Sequence, residues 1–166
     1  LYANADLSKA TANNEVLAFA DHWRTVTGHD PKLLIFDSKV TTQTQLAELT
    51  DRGIAFITLR TRSPKLTAAL HALPAGAWTP ATIARAGGKT RRVRILENPT
   101  AELSSYPGTL RQLAVAGLGH DEPTILITND STSPAKKIVE AYARRMNIEQ
   151  RLAESIRSFG LDALAG

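Results

Sequence analysis

Cysteine is absent from the chain. Disulfides and thiolate-held metals are therefore excluded, and the redox compartment stays open. No apolar run approaches the roughly 18 residues that a membrane-crossing helix needs, and no charged-then-apolar leader opens the sequence. The histidines, His22, His29, His71 and His120, have no metal-ligand spacing. Gly87-Gly88-Lys89 is too short for a phosphate-binding loop and lacks the strand–loop–helix context. No Ser-His-Asp arrangement can be defended, and there is no internal repeat or low-complexity tract.

What is present is a chain of 166 residues, 43% hydrophobic and 22% charged. That composition suits one soluble globular domain. Net charge is +4 with a pI near 9.6, which permits a nucleic-acid partner without demanding one. The chain opens at Leu1 without Met, as though already inside an element. It is expected to be a piece of a longer protein, part of whose site lies elsewhere.

Periodicity and punctuation predict an α/β order. Leu1–Ala5 reads as the end of a strand. Thr11–Val26 reads as a helix, with Asn13 as N-cap and Gly28 as its stop. Leu33–Phe36 is a continuous apolar run ending at Asp37, as in a strand covered on both faces. Thr42–Arg52 is a second helix closed by Gly53, and Ile54–Leu59 a second buried strand. From Ser63 to about His120, prolines, glycines and short alternating stretches predict a β-rich region with turns. Thr124–Thr128 is a further strand. Ser133-Pro134 starts a last helix, with Ser as N-cap and Pro at the first helical position, running to about Phe159.

On that last helix Tyr142, Arg145 and Glu149 fall on one face at 100° per residue, beside Ile138, Leu152 and Ile156. A carboxylate on a partly apolar face is costly unless paired or bound to a metal. Each residue also has a plainer role. Glu149 pairs with Arg145, Arg145 pairs with Glu149 or Glu140, and Tyr142 packs in the core. Asp37 at a strand end either caps the next turn with Ser38 and Thr41, or joins a site where α/β sheets gather ligands. Lys89, Arg91, Arg92 and Arg94 form the densest basic run. Alternation puts Arg92 and Arg94 on one face, with Val93 and Ile95 on the other. Arg60 and Arg62 also share a face. These are candidate phosphate contacts or a solvated strand face. Trp78 is either core or a stacking platform for an extruded base.

Three stretches carry a family resemblance. They are LLIFDSKVTTQTQLAELTDRGIAFITLR, then GLGHDEPTILITND with SPAK after it, and YARRMNIEQRLAESIRSFGLDAL. Together they resemble the DDE-type insertion-sequence transposases, whose signature helix carries Tyr, Arg, Glu and Lys at Y-x2-R-x3-E-x6-K spacing. YANADLSKA at the start is similar to such proteins too. The resemblance implies a partial ribonuclease-H-like core over 1–62, a β-rich insertion over 63–122, and a core strand with the signature helix over 123–166. Asp37 would be the second Asp of the triad and Glu149 its Glu, both metal ligands for Mg²⁺ or Mn²⁺. Tyr142 and Arg145 would handle DNA near the scissile phosphate. The signature Lys position holds Ile156, with Arg157 beside it as a candidate DNA contact. The first Asp belongs on an earlier strand, and Asp6 is more simply a helix cap.

The implied chemistry is two-metal phosphoryl transfer on double-stranded DNA, both transposon ends and target, in a cytoplasmic, nucleoid-associated prokaryotic protein. No membrane partner is expected, and a homodimer is expected from the family alone. This piece by itself is expected to be inactive or nearly so. The rival readings are a same-fold nuclease that cuts without joining, and an inactive DNA-binding remnant of a decayed transposase.

Overall fold

The computed structural model describes residues 12–84, 88–119 and 121–145. The expectations for Leu1–Ala5, Asp6, Glu149, Leu152, Ile156, Arg157 and the helix beyond residue 145 lie outside them.

Helix α1 (Glu15–Thr27) follows a short 3₁₀ turn and stops at Gly28, which takes φ +80° where a side chain would strain. Asn14, not Asn13, is its N-cap. Strand β1 (Leu33–Phe36) leads through a 3₁₀ turn into α2 (Gln43–Asp51), and α2 returns to β2 (Ala55–Leu59). Thr42 and Gln45 close a reciprocal capping box that sets where α2 begins. β1 and β2 pair in parallel, joined by α2 as a crossover.

The stretch expected to be β-rich opens instead with a helix, α3 (Pro64–His71). Ser63 caps it through the Leu66 N–H and Pro64 occupies its first turn. The same Ser-Pro start is expected at Ser133-Pro134, where the helix begins one residue later, at Ala135, with the Pro134 carbonyl accepting from the Ile138 N–H. At Ser63-Pro64 the signal is outweighed by the surrounding prolines. The remainder is β as expected: β3 (Thr79–Ala84), β4 (Thr90–Glu102) and β5 (Thr109–Ala116). β4 carries a register shift between Asn98 and Ala101, at Pro99, which has no N–H for the ladder. β6 (Thr124–Thr128) follows, and residues 135–145 are helical, here α4.

The six strands of the described residues form one sheet in the order β1-β2-β6-β5-β4-β3, antiparallel apart from the β1–β2 pair. The chain is therefore mixed α/β, and the strands of the 63–122 stretch continue the same sheet as β1, β2 and β6. Helices α1 and α2 cover one face through Val16, Ala20, Leu46 and Leu49 against Phe36, Phe56, Leu110 and Ile127. α3 covers the same face further along, with Leu70, Trp78, Ala114 and Ile125. α4 covers the opposite face, placing Ile138, Val139 and Tyr142 on Ile57, Leu113, Val115 and Leu126. Each fully buried Leu, Ile or Phe in these layers contributes about 1.5–3 kcal/mol. β1 is covered on both faces, Ile35 toward α4 and Leu34 and Phe36 toward α1 and α2, but among the described residues it ends the sheet, and Leu33 is exposed.

Candidate functional site

The parallel β1–β2 pair ends where the sheet changes direction to antiparallel β6. The carboxyl ends of parallel strands are where open α/β sheets collect ligand-binding groups. Asp37 stands there, half-buried, just after β1. Its Oδ1 accepts from the Lys39 N–H at 2.9 Å, so the capping role anticipated for it is present. Among the described residues Oδ2 has no hydrogen-bond partner, so it remains available to a hard cation.

Two clefts flank this corner, each about 460–470 Å³. One opens toward α2, between Ser38, Thr42, Gln43 and Ser104. The other opens toward α4 and is lined by Ser38, Lys39, Arg60, Arg62 and Tyr142. The structure thus brings the last helix to the turn that follows Asp37. Tyr142 is 3% exposed and mostly core, and the Arg145 guanidinium sits 5.9 Å from its ring centroid.

Arg60 borders both clefts. Its guanidinium donates to the Gln112 side-chain oxygen and to the Glu102 carbonyl, both neutral. Burial pulls its pKa below the usual guanidinium value. A desolvated cation held by neutral acceptors is a poor contributor to stability and a good receiver of an anion. The sequence offered Arg60 only as one of a pair beyond a strand. Its partners lie on β5 and at the end of β4, which no local pattern reveals.

The lead-in to α4 is fixed by two residues that sequence reasoning did not single out. Asn129 accepts from the Phe56 N–H and donates to the Ile54 carbonyl and to Thr50 Oγ1. Asp130 Oδ1 accepts from the Thr132 and Ser133 N–H groups and the Thr132 hydroxyl. Burial pushes the Asp130 carboxyl up, but its hydrogen bonds from Ser133 and Thr132 outweigh this and hold its pKa at about 2. Arg111, 8% exposed, ties β5 to the same loop through the Asp130 and Ser133 carbonyls and pairs with Glu97 at 2.7 Å.

The basic run divides. Arg92 and Arg94 are exposed on one face of β4, with Val93 and Ile95 buried on the other, as alternation predicts. Arg91 turns elsewhere, donating to the Leu118 carbonyl at 3.0 Å, and Lys89 is exposed at the approach to β4. Trp78 is 9% exposed in the α3 layer, with the Arg94 guanidinium 5.9 Å from its ring centroid. Among the described residues no group of three or more His, Asp or Glu is placed to hold a metal, and no helix is long and apolar enough to cross a membrane. Asp37 fits a divalent ion as one oxygen donor of a larger set, and Glu149 lies outside the described residues. No protein-family model matches the chain, and no curated protein was found to be similar to it.

Proposed function

We propose that this chain contributes to a metal-dependent site that cuts and joins DNA strands, in the manner of the DDE transposases that it resembles. The observation that carries the reading is the meeting of α4 with the Asp37 turn. Tyr142, first residue of the signature spacing, lines the same cleft as Ser38 and Lys39. The sheet's mixed order, with a parallel β1–β2 crossover, is compatible with a ribonuclease-H-like core extended by β3–β5.

In this reading Asp37 and Glu149 hold Mg²⁺ or Mn²⁺, with a further Asp from an earlier strand. When bound, the metal pair supplies an activated water or 3′-hydroxyl and steadies the leaving oxygen. The chain's own residues do the rest. Arg60, Arg62 and Lys39 receive the phosphate backbone at the mouth of the cleft, Arg60 by its planar fork. The 3₁₀ turn after Asp37 keeps that carboxylate oriented through the Lys39 N–H. Arg145 and Tyr142 form the α4 wall against which the strand lies. Double-stranded DNA is the partner, and two copies of the protein acting on two ends is the assembly this implies.

The test is a strand-cleavage and strand-joining assay with Mn²⁺, using the protein in its full encoded length on DNA carrying the ends of its element. Joined product that disappears in Asp37→Asn and in Glu149→Gln supports the proposal. Robust activity surviving either change refutes it. Cleavage without joining reassigns the site to a nuclease. Metal-independent DNA retention with neither reaction favours the inactive remnant, which Ile156 in place of the signature Lys also favours.

A further inference from the structure

Among the described residues β3 ends the sheet opposite β1, paired with β4 on one side only. A free strand edge is a template for a further strand, and another copy of the same chain is the partner always at hand. The composition of β3 invites this. Thr79, Thr82 and Ile83 are β-branched, and four of its six residues are exposed. In an antiparallel ladder alternate residues bond to the neighbouring strand, and the others turn their N–H and C=O groups outward. Pro80, Thr82 and Ala84 form the outward set, because the Ala84 N–H leaves the ladder to donate to Glu140 Oε1 of α4 at 2.9 Å. Of these three, Pro80 has no N–H to give and Ala84 has given its own, which leaves Thr82 between them. Glu140 is held at the edge by its helix. Ile138, Val139 and Tyr142 of α4 pack on Ile83 of β3 and on Val93 and Ile95 of β4. Its side chain is 17% exposed, with Lys136 Nζ at 4.0 Å.

We propose that Glu140 and Pro80 guard the β3 edge against addition of β3 from a second copy of this chain. The added strand would run antiparallel about a two-fold axis, each copy presenting the same edge. It would have to take the Ala84 N–H from a carboxylate, whose hydrogen bond is stronger than one between neutral groups. It would also press that carboxylate against a second backbone, away from water. At Pro80 an incoming carbonyl would meet a ring and no donor. One guard is built into the strand and the other stands on α4, so the edge is closed only while α4 lies on β3 and β4. The guard does not depend on the metal chemistry, and a chain with no cleavage activity would keep it.

Sedimentation velocity with the full chain, over about a hundredfold range of concentration, tests it together with amide exchange. Glu140→Ala and Pro80→Thr, neither of which lowers helix or strand propensity, together free all three outward N–H groups. The double variant is expected to self-associate at least about tenfold more tightly than wild type, with the Thr82 amide gaining protection as it does so. Lys136→Ala leaves the edge closed and is expected to match wild type. Ala84 exchange should quicken at least about tenfold in Glu140→Ala and stay slow in Glu140→Gln, whose amide oxygen still accepts. A folded double variant no more associated than wild type overturns the proposal. So does association that leaves the Thr82 amide unprotected, or equal association in Lys136→Ala, which would mark general surface charge. Where the double variant does not fold, exchange decides. Ala84 protection lost in Glu140→Ala and kept in Glu140→Gln supports the guard, and protection equal in the two overturns it.

Discussion

Asn129 joins three parts of the molecule, and removing its side chain has a calculable cost. Its oxygen satisfies the Phe56 N–H at 2.9 Å, and its nitrogen satisfies the Ile54 carbonyl at 3.0 Å and reaches Thr50 Oγ1 at 3.2 Å. Phe56 and Ile54 are both 0% exposed, so water cannot replace the lost partner without opening the α2 layer. Thr50 keeps its bonds to the Leu46 carbonyl and the Tyr106 hydroxyl. Asn129→Ala therefore orphans two buried groups at about 1–3 kcal/mol each, roughly 2–6 kcal/mol together. At about 2–4 °C per kcal/mol for a domain of this size, Tm should fall by roughly 4–24 °C.

Asn129→Asp separates hydrogen bonding from packing. It keeps the acceptor for Phe56 but turns a second oxygen toward the Ile54 carbonyl. Burial and that carbonyl both raise the new carboxyl's pKa above its unfolded value near 3.9. The folded state then binds the proton more tightly, so the ionisation penalty is absent below about pH 4. It grows as pH rises through the folded pKa. Urea unfolding at about pH 4.5 and 7, with wild type alongside, measures it. The Asp variant should lose more relative to wild type at pH 7 than at 4.5. An Asn129→Ala loss below about 1 kcal/mol, or an Asp variant whose deficit is independent of pH, would refute the reasoning.

Two further outcomes follow from charged groups near α4. Asp130 has its pKa lowered from 3.8 to about 2, so it contributes stability that is present above about pH 4 and lost as pH falls toward 2. After solvent screening this amounts to about 1 kcal/mol. The urea midpoints of wild type and Asp130→Ala should therefore converge from pH 5 downward, and a constant gap would contradict the assignment. Arg60→Met removes a desolvated cation held by neutral acceptors, so its stability should change by less than about 1 kcal/mol while strand cleavage falls at least tenfold. A large loss of stability with unchanged cleavage would make Arg60 structural.

Much of the fold was legible because local signals agreed with tertiary need. The apolar runs before Asp37 and after Gly53 became β1 and β2, and the alternating stretches around Arg92–Leu96 and Arg111–Val115 lie in β4 and β5. Helix α3 was missed because prolines at Pro64, Pro74 and Pro80 read as turns, although Pro64 after Ser63 is a helix start. The sheet order was not legible, because β5 and β6 find neighbours far along the chain. The Asp37 position at a strand end could be read directly, but the cleft that Ser38 and Lys39 share with Tyr142 needs α4 laid across the sheet. Asn129, Asp130 and Arg111 were overlooked for the same reason. Their partners lie on other elements or in irregular backbone, and short polar residues after a strand look like any loop. Trp78 shows the converse. Its type left core packing and base stacking both open, and its surroundings place it in the α3 layer under Arg94.

The central claim is that Asp37 and the signature helix share a metal. Anomalous diffraction from crystals of the protein grown with Mn²⁺ measures this directly. A manganese peak about 2.2 Å from the Asp37 carboxylate and also bound by Glu149, absent in Asp37→Asn, is the predicted result. Asp37 and Glu149 carboxylates more than about 10 Å apart, with no manganese between them, would contradict it, because a shared two-metal site cannot span that distance.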